Sequence, residues 1–74
     1  MENMDGFVTT PRDRVLRAWQ NSTELVRDYQ LYSDELAENE GKLSRMFAEF
    51  AESEAEHASM LLVWLRAYDQ QHEN

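Results

Sequence analysis

The sequence predicts an all-α fold: a two-helix antiparallel hairpin that completes a four-helix bundle by dimerisation. Three observations carry this. Only Pro11, Gly6 and Gly41 punctuate the 74 residues, leaving two long segments with nothing to break a helix. In both segments apolar residues recur at steps of three and four. One turn signal, "AENEG" with Asn39 and Gly41, separates them.

Residues 1–9 read as a loose leader. "TPRD" then starts helix 1: Thr10 can cap, Pro11 suits the first helical position, and Asp13 can close a capping-box pair. The pattern places helix 1 over about 11–38 and helix 2 over about 42–71, each roughly 40 Å long at ~1.5 Å per residue. Helices of that length joined by a short turn lie antiparallel.

Helix 2 carries the seam Leu43, Phe47, Phe50, Glu54, His57, Leu61, Trp64, Tyr68. Helix 1 gives Ala18, Ser22, Leu25, Tyr29, Tyr32, Leu36 by the same rule. Trp19, Val26 and Ala37 widen the first stripe; Met46, Ala51, Ala58 and Leu65 widen the second. Two helices cannot cover two such stripes between them, so the chain itself is the expected partner, as a homodimer or higher oligomer. A core from 74 residues is marginal alone, and no cysteine is present to staple it.

The net charge of −8 argues against nucleic acid and anionic membranes as partners. It suits a chain that gathers cations, and equally a merely solubilising surface. "MENMDGFVTT" shows neither the basic nor the apolar region of a signal peptide, which predicts a cytoplasmic location. The apolar run "MLLVWL" is too short to span a bilayer. "NST" at Asn21 matches a glycosylation pattern but falls mid-helix, and is discounted.

Glu54 and His57 stand where the seam asks for apolar residues. Three apart on a helix, they share one face, and the seam makes that face the buried one. A buried carboxylate is costly unless it is paired or holds a metal. Glu-x-x-His is also the spacing by which di-metal carboxylate bundles aim two ligands at one ion. Two readings stand: a metal site completed by a second copy, or a Glu–His pair that fixes bundle register. A di-metal site wants a carboxylate from helix 1 as well. Glu24 lies level with Glu54 about the turn, but at ~100° per residue it faces well away from the helix 1 stripe. Asp28 faces better and lies nearly one turn closer to the loop. Depth favours Glu24 as a ligand, and facing favours a solvated charge.

The stretch "EAEHASMLLVWLRAYD", Glu54–Asp69, resembles the second helix of the encapsulated ferritins. Glu54, Glu56, His57, Ala58, Met60, Leu62, Trp64, Leu65, Arg66 and Asp69 carry the likeness. "FAEFAESEAEHA" is also similar to the second helix of rubrerythrin domains. The resemblance implies a ferritin-like bundle and a di-iron ferroxidase site across its interface, holding two iron ions per dimer. It implies Glu54 and His57 as iron ligands, with Glu24 of "TEL" as the third, and all three as the catalytic residues. The acids and tryptophan that gather iron in that family map to Thr23, Val26 and Gln30, so that feature is missing. An encapsulin shell is a further implied partner, placing the chain inside a nanocompartment. The third helix and the tail that addresses cargo to such a shell have no counterpart here. Tyr29 or Tyr32 would either hydrogen-bond a ligand carboxylate or simply fill the core. The rival readings are a rubrerythrin-like peroxide reductase, and a non-enzymatic dimer holding zinc, another ion or none.

Overall fold

The computed structural model describes residues 9–73, with side chains described to residue 71. The expected leader lies outside the described residues apart from Thr9. Two helices make up the described chain: α1 (Pro11–Leu36) and α2 (Gly41–Glu73). They run antiparallel, and Arg12 at the start of α1 hydrogen-bonds Asp69 near the end of α2 at 2.8 Å. That bond, and then the charge of Asp69, hold the Arg12 guanidinium above its ordinary pKa.

Helix α1 starts on the device its sequence encodes. The Thr10 hydroxyl accepts from the Asp13 N–H at 3.1 Å, and the Thr10 N–H donates to the Asp13 carboxylate at 3.2 Å. Two otherwise orphaned helix donors are satisfied at once. The other end differs from expectation. α1 stops at Leu36, two residues early, and Ala37–Asn39 form the turn. The Glu40 N–H donates to the Leu36 carbonyl at 2.8 Å, and the Glu40 carbonyl accepts from Ser44 N–H at 2.8 Å. The chain thus reverses through hydrogen bonds at Glu40. Gly41 is already the first residue of α2, not the turn glycine its sequence position suggested.

The helix contact is set by small residues. Ser44, Ala51, Ala58 and Leu65, each seven apart, are the buried positions of α2. Ser22 is buried on α1, with Val15, Tyr29 and Leu36 half-buried at the same seven-residue interval. A repeat of seven is the signature of helices that coil about one another. Between the helices near the turn, Ser44 donates to the Ser33 carbonyl at 2.7 Å and its hydroxyl meets that of Ser33 at 3.1 Å.

The expected α2 seam is therefore half right. Phe47, Glu54, Leu61 and Tyr68 do face α1 in part. The other expected row, Leu43, Phe50, His57 and Trp64, is exposed, and the row one residue on is buried: Ser44, with Ala51, Ala58 and Leu65 of the widened stripe. The reason is volume. The closest approach admits alanine and serine, and the larger side chains are pushed to its flank. Ala51→Leu is predicted to cost about 1–3 kcal/mol by overpacking this contact, visible as a lower urea midpoint.

At the turn end, Tyr29 stacks on Phe47 with centroids 5.9 Å apart and meets Phe50 edge-on at 5.5 Å. Tyr32 meets Phe47 edge-on at 5.4 Å. These rings pack against one another toward the turn end of the hairpin, with Tyr29 half-buried and Tyr32 still exposed. Along its thinnest axis the molecule spans 12 Å, one layer of helices. A stable core needs two layers. Among the described residues no helix is long and apolar enough to cross a membrane.

Candidate metal centre

The flank that α1 leaves uncovered is a groove. It is lined by Ala18, Asn21, Ser22 and Leu25 of α1, and by Glu54, His57, Met60, Leu61 and Trp64 of α2, around about 550 Å³ of open space. Its walls are mainly apolar, and Glu54 and His57 are the first two of α2's five contributions, at the end nearer the turn. At ~100° per residue, spacing of three and four keeps Glu54, His57, Leu61 and Trp64 on one side of the helix.

The two polar groups face each other. His57 Nδ1 lies 3.5 Å from Glu54 Oε2. The Glu54 side chain is 21% exposed and that of His57 60%. The expectation that the seam buries both is corrected: within one chain Glu54 is half-buried and His57 open. His57 belongs to the flanking row, which α1 leaves exposed.

The spacing of these donors fits a metal ion. Two donor atoms each about 2.1 Å from one ion lie roughly 3.0–3.5 Å apart when their bonds meet at about 90–115°. The observed separation of 3.5 Å falls at the upper end of that range. A carboxylate with a neutral imidazole suits a divalent transition metal such as iron. Among the described residues of one chain, no group of three or more His, Cys, Asp or Glu side chains gathers to hold an ion. Glu54 and His57 are the two such side chains that line the groove.

Glu24 is exposed and does not line the groove. Its depth agrees with the expected level. Paired positions across the hairpin have residue numbers adding to 77 for Ser33 and Ser44 and to 79 for Tyr29 and Phe50, and Glu24 with Glu54 gives 78. Its direction does not: Leu25, one residue on, takes the groove position. Asp28 is also exposed and outside the groove. The residue that sequence reasoning passed over is Asn21. It was weighed only as a glycosylation pattern, yet it lines the groove beside the pair. The level count and the α1 stripe together could have found it.

A family model described as Rubrerythrin matches residues 17–74, nearly all of the hairpin. The chain belongs to the rubrerythrin family. It is thus a ferritin-like protein of a di-iron family, and iron is the metal its membership indicates. The matched span takes in the whole groove and both members of the Glu54–His57 pair. No curated protein and no solved structure matches the chain. Of the two likenesses read from helix 2, the match is to the rubrerythrin one.

Proposed function

We propose that this rubrerythrin-family hairpin pairs with a second copy through the groove and oxidises Fe(II) at the site so completed. One observation carries the reading. A ligand-spaced Glu54–His57 pair sits in an uncovered apolar groove that holds too few ligands for an ion by itself. Two-fold pairing brings a second Glu54 and His57 to the first, the arrangement an isologous interface produces without further contrivance. Fe(II) is the substrate, and each ion oxidised to Fe(III) yields one electron to dioxygen or peroxide.

The chain's own groups do the rest. Glu54 supplies negative charge and His57 a neutral nitrogen, a set that accepts both oxidation states of iron. Leu25, Leu61, Met60 and Trp64 surround them with apolar wall, which excludes water once covered and strengthens the carboxylate's pull on a cation. Glu24 lies off the groove, so it joins the ligand set only from the outer side of α1, through a further contact between copies.

The experiment is anaerobic Fe(II) titration of the assembled protein, followed by dioxygen or peroxide. Binding near two Fe(II) per dimer, then oxidation by dioxygen, is expected. Oxidation by peroxide alone would instead mark a peroxide reductase fed by a separate electron donor. Failure to bind would leave the pair as a structural Glu–His contact.

A further inference from the structure

We propose that Met60 is a site of reversible oxidation by peroxide, and that its sulfoxide blocks the pairing of two copies through the groove. The inference rests on the pairing proposed above and names what regulates it.

Met60 is placed for this by where it stands and how open it is. It lines the groove beside Leu61 and Trp64, one helical turn from His57. It is 65% exposed, more open than Trp64 at 59%, while Leu61 and Leu25 are half-buried. Met46, the other methionine among the described residues, is half-buried and does not line the groove. Peroxide therefore reaches the Met60 sulfur of an unpaired chain with little in its way.

The chemistry is a two-electron oxygen transfer. A sulfur lone pair attacks one peroxide oxygen. An S–O bond forms, the O–O bond breaks, and the second oxygen leaves with both hydrogens as water. Sulfur is oxidised and peroxide reduced. A dithiol reductant takes the oxygen back as water and restores the thioether.

The product changes what the groove can bury. Oxidation turns a flexible apolar side chain into a polar one with a strong acceptor oxygen. Covering the mainly apolar groove then strands that oxygen away from water. An isologous interface carries the cost twice, once from each copy. Linkage makes the effect reciprocal: sulfoxide opposes pairing by as much as pairing opposes oxidation.

The test treats the metal-free full chain with hydrogen peroxide in chelator, at concentrations on either side of its pairing midpoint. Peptide mass mapping follows oxidation of Met60, and sedimentation follows pairing. Where about nine chains in ten are paired, Met60 should oxidise about tenfold more slowly than in single chains, with Met46 changing less. The sulfoxide should raise the dissociation constant for pairing at least about tenfold. Met60→Leu, apolar and close in volume, should pair like the parent and keep pairing after peroxide. Met60→Gln, with a polar group at the same reach, should weaken pairing without peroxide. Equal pairing of the Met60 sulfoxide and the parent overturns the inference, as does loss of pairing in peroxide-treated Met60→Leu. So does a Met60 oxidation rate that ignores protein concentration while the chains pair. A parent that stays single at every concentration sinks the pairing itself, and this regulation with it.

Discussion

Glu54→Ala and His57→Ala will each lower Fe(II) affinity by more than about 100-fold, beyond the 10- to 100-fold that loss of an outer partner costs. Each removes one of the two ligands a chain supplies, and two-fold pairing doubles the loss. Stability of the metal-free protein should move the other way or not at all. Glu54 is a half-buried carboxylate in an apolar groove, and covering that groove desolvates it further. Replacing it by alanine relieves this cost. A register-fixing Glu–His pair predicts the opposite: lower metal-free stability and no change in metal uptake. Paired measurement of Fe(II) binding and urea unfolding on both variants separates the two. Glu24→Ala, off the groove, should weaken uptake by less than either.

Trp64→Ala will destabilise the assembled protein by about 2 kcal/mol or more, while Val63→Ala will stay within about 0.5 kcal/mol. The contrast matters because the two side chains are similarly open in one chain, 59% and 68% exposed. They differ by one step of ~100° around α2, which puts Trp64 in the groove and Val63 outside it. If the hairpin acts alone, neither substitution should matter much. If a second copy covers the groove, Trp64 is a central aromatic anchor. Its loss should show as a lower unfolding midpoint that depends on protein concentration, as coupled folding and assembly require. Thermal unfolding at several concentrations, on both variants, reads this directly.

Much of the fold was legible because it rests on local signals. Thr10, Pro11 and Asp13 announce the start of α1 chemically, and the cap forms as spelled. The turn was legible in place but not in mechanism. Gly41 looked like part of the turn, whereas it opens α2 and the reversal is made by hydrogen bonds at Glu40, which no residue type advertises. The α2 seam was misread by one residue in half its positions. Hydrophobicity ranks Phe50 above Ala51, yet the helix contact buries the small side chains of Ser44, Ala51 and Ala58. That same misreading explains the site. Glu54 and His57 were found because polar residues in an apolar row stand out. Their exposure within a single chain was not foreseen, because the seam count cannot tell the contact within a hairpin from the contact between two. Asn21 was overlooked for a related reason: a small amide on a helix rim is an ordinary surface residue until the groove beside it is known.

The central claim is that two copies together make one metal site that neither makes alone. Native mass measurement of the oligomer, with iron content determined on the same sample, tests it most directly. The account predicts an assembled dimer, or a multiple of it, holding about two iron ions per pair of chains, with iron lost in both Glu54→Ala and His57→Ala. A monomer that binds iron, or a dimer that binds none and is equally stable in chelator, would contradict it.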